Sequence, residues 1–456
     1  MPLSDIPTKR IETHSITCAQ AVVQVLNETF FAKKAADKAV AAILKANHQF
    51  GSRDRRIINE TLYSVLRWWG WLQHVAPNNF TDALAAKASD APATSIDEWY
   101  AVLCLAWLLE GRPELPPSAS WWLQRSGARI GDLPELPMNA PIEERRKYIR
   151  PFFSKDSTLP PMTLEDLIPS WTLGLIDAPV ATEELIQWQQ RRPPVWLRAQ
   201  VSDIDRLVGE LKREEVKATP NAQMNHALKA FFSGVNLYQL PSFLNGRFEI
   251  QDLASQAVSL ICAPSAGQRW WDACAGAGGK TLHLASLMQG KGHITASDNR
   301  TFKLEELKLR ARRCGFSNII IKEWLGIDVQ RYHGLFNGVL VDAPCSCSGT
   351  WRRSPWLKWM LSPEDIVQIT TLQKQLLENA SKGVAPGGTL VYATCSMFKQ
   401  ENQDVVADFL EKNPSFSLEP FISPINGQPC DGQLQIWPWD GDCDAMFIAK
   451  LKKHTT

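Results

Sequence analysis

Apolar positions recur at two different periods along the chain, and the change from one to the other divides it. Up to about Trp188 the period is helical. Between Arg55 and Trp69, the side chains Ile58, Leu62, Val65, Leu66 and Trp69 fall on one stripe, the spacing of a helix buried along one face. Ala19 to Leu26 and Ala35 to Leu44 read the same way. Ser52 is placed to cap the helix that follows it, although Arg55 and Arg56 in the first turn oppose the helix dipole. Pro134, Pro137, Pro141, Pro151, Pro160 and Pro161 then interrupt the pattern and predict irregular connection with short helices.

Arg191-Arg192-Pro193-Pro194 marks a boundary. Beyond it, strand-like runs at Val195 to Leu197 and Phe248 to Ile250 flank a helical run, Ile204 to Glu214, and predict a small α+β subdomain. From Asp252 onward strands and helices alternate. Arg269 to Ala273, His293 to Ser297, Asn318 to Ile321, Gly338 to Val341 and Thr389 to Ala393 each run into a polar or glycine-rich segment. This alternation predicts an α/β fold with a mostly parallel, doubly wound sheet, in which ligands bind at the carboxyl ends of the strands. Three regions are expected: 1–188, a helical region with a proline-rich extension; 189–250, the small α+β subdomain; and 251–456, the α/β domain.

Length supports that division, because 456 residues exceed what one ordinary core accommodates. With 45% apolar and 21% charged residues the chain reads as globular rather than disordered. No apolar run is long enough for a membrane span and no apolar leader follows Met1, so a cytoplasmic protein without membrane contact is expected. The ten cysteines form no CxxC pair, and no metal is expected. Net charge is only +1, yet Arg300 to Met360 holds eleven Lys and Arg against five Asp and Glu, a local excess of +6. Such a stretch suits a polyanion, with Arg352 and Arg353 as the residues of choice, or else a solvated helix face.

The segment Cys274-Ala275-Gly276-Ala277-Gly278-Gly279-Lys280 follows a predicted strand and opens a helix. Its glycines let backbone N–H groups approach a ligand closely, and valine at 278 would push a side chain into that path. A phosphate-binding loop would need glycine where Cys274 stands, and a dinucleotide loop would need a third glycine at Thr281. Asp298, 26 residues after Asp272, ends the second strand and is suited to accept from both ribose hydroxyls of an adenosine. Asp328, near the third strand, is a candidate adenine contact.

Asp342-Ala343-Pro344-Cys345 ends the fourth strand and Ala393-Thr394-Cys395-Ser396 the fifth. Neighbouring strand ends put both thiols on the rim of one crevice. A thiolate that adds to carbon 6 of cytosine makes carbon 5 nucleophilic enough to take a methyl group from a sulfonium. An acid near ring nitrogen 3 absorbs the charge, and a base removes the carbon 5 proton. The alternative for each thiol alone is a buried small hydrophobe. Cys345 and Cys347 form a CxC without a further Cys or His pair nearby in sequence, a poor basis for a metal site.

These motifs resemble those of the Sun/Nop family of RNA 5-methylcytosine methyltransferases. The cofactor loop is similar to the family's Cys-Ala-Ala-Pro-Gly-Gly-Lys-Thr, with Ala277 in place of proline. Asp342 to Cys345 with Ser348-Gly349-Thr350 and Arg352-Arg353-Ser354-Pro355 resembles its fourth motif, and Gly387 to Ser396 with Glu401-Asn402 its sixth. The similarity covers most of Val195 to Leu451 and extends more weakly to Thr17 to Leu72, which resembles a NusB-like RNA-binding bundle. The resemblance implies a nucleophile at Cys395, help from Cys345 in breaking the adduct, and base contact by Asp342. It also implies S-adenosylmethionine held by Cys274, Ala275, Gly276, Ala277, Gly278, Gly279 and Lys280 together with Asp298, Asp328 and Asp342. The implied partner is RNA, with rRNA the expected class, acted on by a monomer. The alternatives are a transfer-RNA methyltransferase and an inactive RNA-binding assembly factor. Thr81 to Gln190 has no clear counterpart in the family, and Gly441 to Phe447 matches its closing strand motif only in part.

Overall fold

The computed structural model describes residues 8–111, 114–128, 140–153, 162–326 and 329–455. Pro134, Pro137, Pro160, Pro161 and Asp328 lie outside them. The chain divides into two compact units, one formed by Met1–Gly174, Ala178–Arg191 and Trp351–Leu361, the other by Leu175–Asp177, Arg192–Thr350 and Ser362–Thr456. Among the described residues no helix is long and apolar enough to cross a membrane.

The first unit is helical. Its long helices, Thr8–Phe30, Ala36–Ala46 and Ser52–Leu72, carry the three periodic runs read from the sequence, with Ala35 as the residue that precedes the second. Ser52 is already inside its helix. The cap is Gly51, whose N–H donates to the Asp54 carboxylate at 2.6 Å, so an acid in the first turn offsets the two arginines. Aromatic side chains fill the interior: Phe80 meets Phe30, Trp69 and Trp99 edge to face, the arrangement their ring quadrupoles favour.

The segment Trp351–Leu361 packs into this unit through polar contacts. Buried Arg67 pairs with buried Glu110 at 3.2 Å and donates to the Arg352 carbonyl at 2.7 Å. Lys358, also buried, donates to the carbonyls of Arg67 and Leu167 at 3.1 and 2.8 Å. Desolvation and the nearby Arg67 charge hold its ammonium well below the usual lysine range. Arg352 is fully buried, with its Nε donating to the Arg191 carbonyl and its guanidinium over the Trp188 ring. That corrects the expectation of two solvent-facing arginines here: Arg352 is a packing residue, and only Arg353 is exposed.

The second unit holds two main sheets and a two-stranded pair. In the smaller, β1 (Val195–Ala199), β2 (Lys217–Pro220), β3 (Ala227–Phe231) and β4 (Phe248–Ile250) lie in the order β2-β3-β1-β4, all antiparallel. Helix Ile204–Arg213 covers it by packing Leu207 and Leu211 against Leu197, Leu228 and Phe248. In the larger, β5 (Arg269–Asp272), β6 (His293–Asp298), β7 (Ile319–Glu323), β8 (Phe336–Asp342) and β9 (Val384–Thr394) are parallel. They correspond to the five strands read from the sequence. β10 (Phe416–Leu418) lies next to β14 on its outer side, and a two-residue pair, β11 (Phe421–Ile422) with β12 (Pro429–Cys430), stands apart. β13 (Gln433–Ile436) also pairs with β14 (Met446–Lys453), which runs antiparallel to β9. The order is β10-β14-β9-β8-β5-β6-β7.

Adjacent residues of a strand point to opposite faces, and both faces here are apolar. Trp270, Leu340 and Val391 pack with helix Leu253–Cys262 on one side, while Trp271, Val341 and Tyr392 pack with helices Pro363–Ser381 and Gln403–Lys412 on the other. The sheet is therefore doubly wound. Strands β6 and β8 flank β5 on opposite sides, so the chain reverses direction of winding at β5, where such sheets open a crevice.

Candidate active site

The loop after β5 takes its shape from two left-handed glycines, Gly276 at φ +52° and Gly278 at φ +85°. A Cβ at Gly278 would lie 2.5 Å from Leu307 Cγ, in the core of helix Thr301–Arg313. Valine there would disrupt packing, which replaces the expectation that it would enter a ligand's path. The Ala275 side chain is buried in the same small core, while Cys274 is half-buried. Burial, then the carboxylates of Asp272, Asp342 and Asp298, push the Cys274 thiol well up.

Two arginines hold the loop's carbonyls. Arg310 donates to Ala277 O at 2.7 Å and Arg198, fully buried in β1, to Gly279 O at 2.8 Å. Glu249 of β4 pairs with Arg310 at 2.8 Å and also with Arg313. Ala277 thus has a fixed carbonyl although it lacks proline's rigidity.

Asp298 at the end of β6 is buried and accepts from the Gly276 N–H at 2.9 Å. Its oxygens also accept from the Arg300 backbone and guanidinium, at 2.8 to 3.0 Å. Burial works to raise its pKa, but Arg300 and the Gly276 amide hold the carboxyl below the usual range. Asp272 is fully buried: one oxygen accepts from Thr281 Oγ1 at 2.6 Å, and Oδ1 has no partner. Desolvation pushes its carboxyl up to about 7.

Lys280, one residue into helix Gly279–Leu287, donates to Asp342 Oδ2 at 2.7 Å. Burial works to lower the ammonium's pKa, yet Asp342, and after it Cys395, raise it overall. The Asp342 carboxyl lies above its ordinary range because burial outweighs the lysine.

Strands β8 and β9 are parallel neighbours with Asp342 beside Ala393. The turns that follow bring Cys345 Sγ to 3.4 Å from Cys395 Sγ. Contacts with Cys347 and Cys395, with burial added, push the Cys345 thiol well up. Cys347, in a left-handed conformation at φ +56°, brings a third sulfur into the group. Glu401 belongs to the sixth motif, where its residue type alone suggests no role. In the structure it is fully buried and accepts from Ser346 N–H at 2.8 Å, from Gln373 at 3.0 Å, and from the hydroxyls of both Ser346 and Ser396. One carboxylate thereby ties together the turns that carry the two thiols. Burial raises its pKa against those hydrogen bonds. Of the residues expected at the site, Lys280, Asp342, Cys345 and Cys395 form one cluster, Asp298 and Gly276 are joined to each other, and Asp328 lies outside the described residues.

Residues 259–452 match the family model described as 16S rRNA methyltransferase RsmB/F. The chain is 31% identical to "Ribosomal RNA small subunit methyltransferase B" of Shewanella oneidensis over 70% of its own length and 73% of that protein's. It is 26% identical to the protein of the same name from Salmonella paratyphi A over 95% and 97%. Among solved structures, the crystal structure of PH0851 superimposes with a TM-score of 0.72 at 23% identity, over 95% of this chain and 99% of that one, a likeness of fold. On the family match and the extent of these identities, the chain belongs to the RsmB/F family of 16S rRNA methyltransferases.

Proposed function

We propose that the protein methylates carbon 5 of cytosine in RNA, with ribosomal RNA as the substrate class, using Cys395 as a covalent nucleophile. The observation that carries this reading is the 3.4 Å approach of Cys345 Sγ to Cys395 Sγ beside the Lys280–Asp342 pair. Family membership and the names of the relatives support rRNA. We assign RNA binding to the helical region and to the small α+β subdomain, 189–250.

The residues around the first loop fit S-adenosylmethionine. The unpartnered Asp272 Oδ1 and the bare backbone at Gly276, where a Cβ would come no nearer than 3.7 Å to Arg300, leave acceptor capacity and room. Cys274 to Lys280 would hold the cofactor by backbone contacts, with Asp298 accepting from ribose in place of the Arg300 guanidinium and Asp328 near adenine. Bound S-adenosylmethionine supplies the methyl group.

Cys395 Sγ, as thiolate, adds to carbon 6 and makes carbon 5 nucleophilic. The Lys280 ammonium favours that thiolate, and Asp342, 2.7 Å from the ammonium, serves as the acid at ring nitrogen 3. After methylation the carbon 5 proton leaves to a base, the carbon–sulfur bond breaks with its electron pair returning to Cys395, and the proton on nitrogen 3 returns to Asp342. Cys345 is positioned to assist that breakdown.

The test compares Cys395→Ala with Cys345→Ala on RNA in the presence of cofactor. The Cys345 variant should methylate and remain joined to the RNA as a slow band on a denaturing gel, while the Cys395 variant gives none. A band only with Cys395→Ala would exchange the roles. Intact activity without a band in either variant would make the thiols structural, and absence of methylation by the unaltered protein would leave an RNA-binding assembly factor.

A further inference from the structure

We propose that Cys345, Cys347 and Cys395 together bind a thiophilic divalent cation of the zinc and cadmium class, which occupies the reaction centre and silences it reversibly. What is silenced follows the function proposed above; the site itself rests on geometry. The sulfurs of the three residues all lie within 4.8 Å of one another, and two of them are 3.4 Å apart. Zinc–thiolate bonds of about 2.3 Å place paired sulfurs roughly 3.8 to 4.0 Å apart in tetrahedral or trigonal sites, so small side-chain rotations suffice. All three residues are half-buried, which leaves access for an ion.

Cys347 has no task in the proposed methyl transfer, yet the chain adopts a left-handed conformation there, which costs a side chain about 1 kcal/mol or more. That turn brings its sulfur to 3.5 Å from the Cys345 carbonyl and into reach of the other two thiols. The sequence-based expectation of no metal looked for a second ligand pair close to the CxC. The third ligand instead comes from the neighbouring strand, fifty residues on.

Charge is also complementary. A dication and three thiols give a complex of net charge −1 and release three protons to solvent, with no change of oxidation state. The Lys280 ammonium and the Arg300 guanidinium stand near enough to interact with the Cys395 and Cys347 sulfurs respectively. Three protein ligands leave one position of a tetrahedral ion for water.

Cadmium titration of the full chain tests this, read by thiolate-to-metal charge-transfer absorption, followed by zinc inhibition of RNA methylation. The unaltered protein should bind one ion with the intensity of three thiolates. Cys347→Ser should keep its near-UV circular dichroism, show two thiolates, and lose roughly a hundredfold in affinity. Its sensitivity to zinc should fall by the same factor, and RNA bound beforehand should protect the unaltered protein. His14, Cys18 and Asp54 form a second cluster with metal-ligand reach, so Cys18→Ser is the control and should change nothing. Equal affinity in Cys347→Ser, or loss of the absorption in Cys18→Ser, would overturn the proposal. A three-thiolate ion in a protein that methylates no RNA would uphold the site and remove the function proposed above.

Discussion

Lys280 donates to Asp342 across 2.7 Å, joining the first residues of the helix after the glycine-rich loop to the end of the strand that leads to Cys345. This pair links the two halves of the proposed chemistry. Removing the ammonium in Lys280→Met leaves the buried Asp342 without its counter-charge, so its pKa, already raised, should rise further. Single-turnover methylation should fall about 10²- to 10³-fold, with the Asp342 limb of its pH profile displaced toward alkaline pH. An unchanged profile would remove Asp342 from the reaction.

Glu401 should matter as much as a residue that touches substrate. Glu401→Ala leaves the Ser346 and Ser396 turns without their common acceptor, and a misplacement of 1 Å costs about 10²-fold in rate. Glu401→Gln keeps an acceptor oxygen and should recover part of the loss. Methylation kinetics on both variants, with circular dichroism to check the fold, decide whether this carboxylate positions the thiols.

Arg310 and Arg313 share Glu249, but only Arg310 reaches Ala277 O. Loss of one charge-assisted hydrogen bond, worth about 1.5 kcal/mol, should weaken S-adenosylmethionine binding about tenfold in Arg310→Leu. Arg313→Leu should bind as the unaltered protein does. Calorimetry that finds the two variants alike would detach the small subdomain from the loop.

Asp272 has a stability signature that depends on pH. Its folded pKa of about 7 lies above the ordinary aspartate value of about 4, so between these limits the folded state binds more protons than the unfolded one. Stability from this group is present below the lower value and is lost as pH rises toward the upper. Relative to Asp272→Asn, the unaltered protein should therefore lose up to roughly 4 kcal/mol between about pH 4 and pH 7. Urea denaturation of both proteins across that range measures it, and parallel curves would contradict it.

The parallel strands were legible because each is a short apolar run ending in a polar or glycine-rich turn, a pattern set by local chemistry. Strand β2 was not, since Lys217–Pro220 is mostly exposed without alternation and gains its place only by pairing with β3. The thiol pair could be read from the two motifs because adjacent parallel strands must bring their ends together. Glu401's role could not, because a buried carboxylate with several donors depends on turns fifty residues apart. Arg352 looked like an RNA contact for the same reason: its charge is visible in the sequence, its burial is not.

The eleven residues Trp351–Leu361 leave the α/β unit at Thr350 and rejoin it at Ser362, having packed among the helices. Cutting the chain at the Arg191–Arg192 boundary would thus strip a host from a guest. The isolated carboxy-terminal piece would carry Trp351, Arg352, Trp356 and Lys358, all buried in the whole protein, on a strap that begins six residues past Cys345. Such a fragment should be sticky and poorly soluble even though its sheet is complete, and the helical piece would lack the Arg352 carbonyl, one of the acceptors Arg67 uses. The two halves are interleaved in sequence, so neither is a freestanding module that a gene fusion could shuffle.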